Sequence, residues 1–175
     1  GGEGRDEAFW NNAVRRLISR TASFLTLAGE DVSISNMRQI VAECFRGNDP
    51  DLYDKLQLTS HQPDLDKSER EKASQHLDIW IKSSFFLGLF ERIRSADLNE
   101  TDRTEADLIL NYFKREFPRI SERTVSIIIE SFNGIIEPWF IRGILKNQFS
   151  GGLSKELLPE NVVANRKIVI VDFPI

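Results

Sequence analysis

The sequence predicts an all-α protein, a bundle of about six to seven helices that a single C-terminal strand follows. Apolar residues recur every three or four positions through most of the chain, which is the spacing of one helix face. Capping residues, glycines and prolines divide that pattern into separate helices. Only the last residues, KIVIVDFPI, contain a continuous run of β-favouring apolar residues. We therefore assign residues 1–165 to an all-α domain and residues 166–175 to a strand segment.

The first helix is predicted over residues 9–28, because apolar or small residues occupy one face of it. That face comprises Phe9, Ala13, Leu17, Thr21, Leu25 and Ala28. Gly29 follows at the position where a left-handed residue commonly ends a helix. The second helix is predicted over residues 36–47, with Ser33 or Ser35 as its N-cap.

The next part of the chain is predicted to hold a short helix and the longest helix of the bundle. Asp49 is expected to cap the short helix, which runs through Leu56. A polar loop follows, and the long helix covers residues 67–95. Its second half, LDIWIKSSFFLGLF, is apolar nearly all round, which is typical of a helix surrounded by others. We therefore expect that half to form the centre of the bundle.

Further helices are predicted before the strand segment. Thr101 or Asp102 is expected to cap the first of them, which ends at the next proline. Ser121 caps the second, and Pro138 is expected to interrupt it. A last short helix is then predicted over residues 139–149.

The strand predicted over residues 167–171 does not fit a bundle. A lone strand leaves its backbone N–H and C=O groups without partners, and helices offer no sheet for it to join. We therefore interpret these residues as one strand of a sheet whose other strands lie outside this stretch of chain. In this interpretation the bundle is an insertion in, or an appendage to, a larger α/β protein.

No group of residues in the sequence predicts a catalytic, cofactor-binding or metal site. The phosphate-binding loop G-x-x-x-x-G-K-[ST] is absent. Asp172 ends the strand, but Phe-Pro follows it instead of a second carboxylate, which favours a structural strand end. Cys44, His61 and His76 do not have the spacing of metal ligands. We therefore expect no enzymatic activity and no cofactor.

Composition favours a protein of the cytoplasm. Cys44 is the single cysteine of the 175 residues, which excludes an internal disulfide and is typical of a reducing compartment. No apolar stretch approaches the roughly 20 residues that span a bilayer, so we expect no direct membrane contact. The formal net charge of −4 argues against binding nucleic acid over the whole surface, but it allows a local basic patch.

Three arginines, Arg15, Arg16 and Arg20, crowd the polar side of the first predicted helix and form the candidate nucleic-acid site. Two interpretations are open. The arginines can contact the phosphates of DNA, or they can form an ordinary solvated face that pairs with nearby acids. We favour the second interpretation. Aromatic residues do not interleave with the arginines, as they do in sites for single strands.

Three stretches of the sequence carry a family resemblance. They are AFWNNAVRRLI near the start, SERTVSIIIESFNGIIEPWF late in the chain and KIVIVDFP at the end. They resemble the conjugative coupling ATPases of the TraG/TraD-like type IV secretion family. Phe9 and Trp10 match the Phe-Trp that opens the all-α insertion domain of that family. Residues 123–139 match its late helix, and residues 167–174 match the strand that returns to the RecA-like motor sheet.

The resemblance implies a function as well as a fold. The full-length ATPase of such a family is a hexamer anchored in the inner membrane, and this chain corresponds to a cytoplasmic part of it. The all-α domain is then expected to recognise partners, docking relaxosome or secreted substrate proteins to the DNA-translocating motor during conjugation. The motor domain of the same chain is a further expected partner. Two alternatives stay open: a DNA-contacting module of the same motor, or an unrelated helical scaffold protein.

Overall fold

The computed structural model describes the backbone of residues 3–141 and the side chains of residues 9–135. Within these bounds the chain forms helices and no strand. The α-helices are α1 (Glu3–Leu27), α2 (Ile34–Glu43), α3 (Asp49–His61), α4 (Lys67–Ser83), α5 (Phe85–Ser95), α6 (Glu100–Asn111) and α7 (Glu122–Ile141). The predicted all-α bundle is therefore confirmed for this part of the chain. The strand predicted over residues 167–171 lies outside the described residues. Of the helix predicted over residues 139–149, only residues 139–141 are described.

Helix α1 organises the body of the bundle, since it packs against α2, α6 and α7. Helix α2 in turn contacts α5 and α7. Helices α3 and α4 pack mainly against each other as a helical hairpin, and α4 joins the body through α5. The hairpin therefore stands to one side of the other five helices.

Burial follows the same division between hairpin and body. Helix α4 buries only Ala73 and Leu77, and its Ile79 is exposed. Helix α5 is the more deeply buried, and its core residues are Phe86, Leu87, Leu89, Phe90 and Ile93. The sequence predicts that the stretch LDIWIKSSFFLGLF lies at the centre of the bundle. That prediction is correct for its second part, in α5, and wrong for its first part, at the end of α4.

Aromatic rings form the centre of the core. They belong to Phe24, Phe45, Tyr53, Phe86, Phe90 and Phe113, none of which is more than 2% exposed. Neighbouring ring centroids lie 5.3 to 5.8 Å apart, mostly in the tilted or edge-to-face arrangements that aromatic pairs prefer. Tyr53 is the member that comes from the hairpin, so this cluster also holds the hairpin to the body.

Helix α1 ends where the sequence predicts. Gly29 has a φ of 71°, the left-handed conformation that glycine adopts freely after a helix. Arg92 of α5 donates a hydrogen bond to the Ala28 carbonyl at 2.9 Å and pairs with Glu30 at 2.7 Å. Because its cation meets the C-terminal end of α1, Arg92 stabilises that end and fixes α5 beside it.

Helix α2 has one of its two predicted caps, begins two residues before residue 36 and ends before residue 47. The Ser33 hydroxyl caps it by accepting a hydrogen bond from the Asn36 N–H at 3.1 Å. The predicted end at residue 47 is wrong, because Cys44 is extended with φ −60° and ψ 155°. This extended residue directs Phe45 into the aromatic core. Burial of the ring, about 1.5–3 kcal/mol, offsets the lost helical turn.

The continuous helix predicted over residues 67–95 is wrong, because Ser84 separates α4 from α5. Ser84 is extended, with φ −117° and ψ 122°, and its hydroxyl caps α5 by accepting from the Leu87 N–H at 3.2 Å. Glu43 supports the break from another helix. Its carboxylate accepts hydrogen bonds from the Ser84 hydroxyl at 2.9 Å and the Phe86 N–H at 3.1 Å.

Helix α3 is longer than the sequence predicts. It runs past Leu56 to His61, which reduces the polar loop to residues 62–66. Its N-cap residue is Asn48 and not Asp49, so that assignment is wrong by one position. The Asp49 carboxylate instead accepts a hydrogen bond from the Arg46 N–H at 2.9 Å, which orders the turn before the helix.

Helix α6 begins two or three residues earlier than predicted and continues into irregular turns. Asn99 caps it by accepting a hydrogen bond from the Asp102 N–H at 2.9 Å, so a cap at Thr101 or Asp102 is wrong. A π-helical turn, Tyr112–Glu116, follows it directly. A short 3-10 turn, Phe117–Arg119, then leads towards α7.

Helix α7 starts at its predicted cap. The Ser121 hydroxyl accepts a hydrogen bond from the Thr124 N–H at 3.3 Å. The predicted interruption at Pro138 is wrong, since the helix continues to Ile141. A proline removes one helical N–H and crowds the carbonyl four residues earlier, but Pro138 lies in the last turn of α7, after most of the helix has formed.

Candidate partner-binding surface

Arg16, from the predicted arginine site, contacts the π-helical turn. Its Nη2 lies 2.5 Å from Glu116 Oε2, and its guanidinium carbon lies 5.0 Å from the centre of the Tyr112 ring. Both contacts join α1 to a segment about 100 positions further along the chain. Arg16 therefore helps to hold α1 in place.

The other two predicted arginines are less constrained. Arg15 is exposed and Arg20 is half-buried, and neither forms an ion pair with another described residue. Burial raises the pKa of Tyr112 to about 12, while the nearby charges of Arg16 and Arg20 act to lower it. The Tyr112 hydroxyl is therefore neutral at physiological pH. DNA binding by the three arginines stays a prediction.

An apolar groove of about 380 Å³ lies beside the Arg16 contact, between α1 and α7. Ala13 of α1 and Tyr112 of the π-helical turn form part of its wall. Ile120 and Ile128 line the side towards α7. This volume lies within the range of pockets that receive small molecules or single anchor side chains.

Phe9 also lines the groove and is 57% exposed. Its ring meets Trp10 edge to face, with centroids 5.1 Å apart. The sequence predicts Phe9 on the core-facing stripe of the first helix, and that position is wrong. The helical period cannot distinguish a residue that faces the core from one that faces an open groove. Exposed aromatic residues beside an apolar groove are typical of interaction sites.

A second and more polar cleft, of about 610 Å³, lies between the start of α3 and the turns that follow α6. Lys114, Arg115 and Arg119 contribute its positive charge. No pattern in the sequence indicates this cleft. Its cations follow each other closely in sequence, but the residues opposite them come from α3, which only the fold brings near.

The remaining chemistry of the described residues is limited. No three His, Cys, Asp or Glu side chains in this part of the chain are arranged to hold a metal ion. Burial raises the pKa of the Cys44 thiol to about 11, so it is not a nucleophilic thiolate at neutral pH. Among residues 3–141, no helix has both the length and the apolar character that crossing a membrane requires.

Comparison with known proteins does not assign the chain to a family. No family model, curated protein or solved structure matches it significantly. The resemblance to TraG/TraD-like coupling ATPases therefore rests on the three quoted stretches alone and stays a prediction.

Proposed function

We propose that this chain is a partner-recognition domain that docks a protein to a larger assembly. The carrying observation is the apolar groove between α1 and α7 with the exposed Phe9 at its side. In the context of the family resemblance, the assembly is the motor of a type IV secretion coupling protein. The docked proteins are then relaxosome components or secreted substrates.

The groove suits an apolar anchor from a partner protein. Ala13 leaves space between larger neighbours, and the Arg16–Glu116 ion pair holds the adjoining wall in position. A wall that is fixed before binding loses little conformational entropy when a partner arrives. One or two inserted apolar side chains, together with Phe9, would form the buried centre of an interface.

The negative net charge of this chain favours a partner protein with positive net charge. The formal net charge of −4 attracts positively charged proteins over long distances and repels nucleic acid. We therefore expect a partner that carries net positive charge together with an apolar anchor residue. The anchor supplies affinity, and the charge supplies speed and selectivity of association.

A DNA-contacting module is the second candidate function. The observation that favours it is the absence of ion pairs to Arg15 and Arg20 within the described residues. Arg15 and Arg20 belong to α1, as Arg16 does. Their guanidinium groups can contact the phosphates of DNA. The salt dependence of DNA binding separates this candidate from protein docking.

A pair of tryptophan variants tests the groove. Ala13→Trp fills the groove, whereas Asn11→Trp adds the same side chain to an exposed position of α1 outside it. Calorimetry with the relaxosome and substrate proteins of the same conjugative element should show affinity lowered about tenfold or more by Ala13→Trp. Asn11→Trp should leave it unchanged. Equal affinities for both variants would show that the groove is not the docking site.

A further inference from the structure

We propose that the polar cleft between α3 and the turns after α6 binds a phosphoryl group, carried by inorganic phosphate or by a small phosphate ester. The cleft has a volume of about 610 Å³, which is ample for such a ligand. It shares no lining residue with the apolar groove. The proposed phosphoryl site and the proposed docking groove therefore use different side chains.

Two arginines of the cleft supply the electrostatic attraction. Arg115 and Arg119 line the cleft, are exposed, and form no ion pair with another described residue. A guanidinium presents a fork of N–H donors that matches two oxygens of a phosphoryl group. A phosphoryl group has three terminal oxygens, so it can engage both forks and a further donor together.

Lys114 is the further donor, and α3 holds it in place. Its Nζ lies 2.5 Å from Asp54 Oδ1 and 5.1 Å from the centre of the Tyr53 ring. Its side chain is only 23% exposed, which is low for a lysine. Because the ammonium group is already fixed at the cleft, it loses little freedom when an anion binds.

The backbone between α6 and α7 explains why these cations share one cleft. Lys114 and Arg115 belong to the π-helical turn, and Arg119 belongs to the 3-10 turn that follows. Adjacent side chains of a regular α-helix point about 100° apart around the helix axis. The π-helical and 3-10 turns have a different number of residues per turn, which changes the angle between their side chains. π-helical turns are frequent at functional sites.

Asn48 adds a neutral polar group to the cleft. It is the N-cap residue of α3, but its side chain makes no capping hydrogen bond. The first N–H groups of α3 are already used, since those of Asp49 and Asp51 bond to the carbonyls of Arg46 and Asn48 at 2.8 and 3.1 Å. Side chains, and not the end of the helix, therefore make this site.

Two carboxylates also line the cleft, and they give the site a diagnostic feature. Asp54 is compensated by Lys114, whereas Asp51 forms no ion pair with another described residue. Asp51 therefore opposes a bound anion. Its replacement by a neutral residue should strengthen phosphoryl binding, while replacement of the arginines should weaken it.

The experiment is a titration of the ¹⁵N-labelled protein with inorganic phosphate, ribose 5-phosphate or acetate. We expect both phosphates to shift amide resonances of residues 47–54 and 114–119, and acetate to bind at least about tenfold more weakly. Tighter binding of the ester would identify an ester as the ligand, and tighter binding of inorganic phosphate would identify the free anion. Equal binding would show that the cleft recognises the phosphoryl group alone. Absence of phosphate-induced shifts in these segments, or acetate binding as strong as phosphate binding, would overturn the proposal.

Matched variants assign the binding to the cleft. Arg115→Gln and Arg119→Gln should each weaken phosphate binding about tenfold, and Asp51→Asn should strengthen it about threefold. Arg123→Gln removes an exposed arginine of α7 that does not line the cleft, and it should leave the affinity unchanged. Asp51→Asn decides the matter if the arginine variants fail to fold, and no gain in affinity from it would contradict the proposal.

Discussion

The carboxylate of Glu43 accepts a hydrogen bond of 2.9 Å from the hydroxyl of Ser84, which lies 41 positions further along the chain. The same carboxylate accepts hydrogen bonds from the Phe86 N–H at 3.1 Å and from Gln39 Nε2 at 2.9 Å. One acid at the end of α2 thus stabilises the junction of α4 and α5. Because the α3–α4 hairpin joins the body at this junction, Glu43 helps to set the position of the hairpin.

Replacement of Glu43 by alanine should lower the free energy of unfolding by about 1.5–3 kcal/mol, since hydrogen bonds to a charged acceptor are lost. Glu43→Gln should cost less, because its amide oxygen still accepts a hydrogen bond. Urea unfolding of both variants measures the difference. Glu105→Ala removes an exposed acid of α6 and should change stability by no more than about 0.5 kcal/mol. A loss for Glu43→Ala no larger than that for Glu105→Ala would show that these hydrogen bonds contribute nothing to stability.

Stability should also depend on pH through Glu43. Burial alone would raise the pKa of this carboxyl, but hydrogen bonds from Gln39, Phe86 and Ser84 outweigh it and hold the pKa below its ordinary value of 4.5. A lowered pKa in the folded state means a contribution that is present above the ordinary pKa and is lost as pH falls through the lowered value. Unfolding free energies at about pH 7 and about pH 3 should therefore differ less in Glu43→Gln than in the parent protein. An identical difference in the two proteins would contradict this.

The Cys44 thiol should resist labelling in the folded protein. Its side chain is 2% exposed, so a reagent can hardly reach the sulfur atom. Burial also raises the pKa of the thiol to about 11, so very little of it is the reactive thiolate at about pH 8. A disulfide reagent should react slowly with the native protein and completely once urea unfolds it. Because the chain has one cysteine, the labelling rate reports on a single site. Fast, complete labelling without denaturant would show that the core around Cys44 is open.

The three arginines of α1 should contribute little to DNA binding if they form an ordinary solvated face. Replacing Arg15, Arg16 and Arg20 together by glutamine should leave the affinity for duplex and single-stranded DNA, and its dependence on salt, nearly unchanged. The Arg16–Glu116 contact is half exposed, so its loss should cost no more than about 1 kcal/mol of stability. Mobility shifts at two salt concentrations measure the effect. A salt slope smaller by roughly 2–3 units would instead show direct phosphate contacts.

The sequence predicts helices well where neighbouring residues decide them. Ser33, Ser121 and Gly29 act where their side chains or conformational freedom predict, because caps and left-handed ends are local features. Ser84 shows the limit of such reasoning. Its surroundings have a continuous helical pattern, and the group that supports the break is the Glu43 carboxylate of a different helix.

The two candidate binding surfaces are even harder to predict from local sequence than the helix boundaries. The sequence places Phe9 on the core face of α1, but only the position of α7 reveals an open groove there. It leaves Arg16 open between a phosphate contact and pairing with a nearby acid, and only the fold brings Glu116 to it. The cations at residues 114, 115 and 119 come to line one cleft only because α3 lies opposite them. Binding surfaces depend on contacts between distant segments, which a sequence pattern does not contain.

Hydrogen–deuterium exchange of the protein with and without a bound partner tests protein docking at the α1–α7 groove most directly. The partners to use are relaxosome and secreted substrate proteins, the class that the proposed function names. Protein docking predicts slower exchange in residues 9–16 and 120–128 of the complex, and loss of that protection in Ala13→Trp but not in Asn11→Trp. If protection appears only outside those two segments, the groove is not the docking site. If none of these proteins binds, the proposed docking of relaxosome or substrate proteins is wrong.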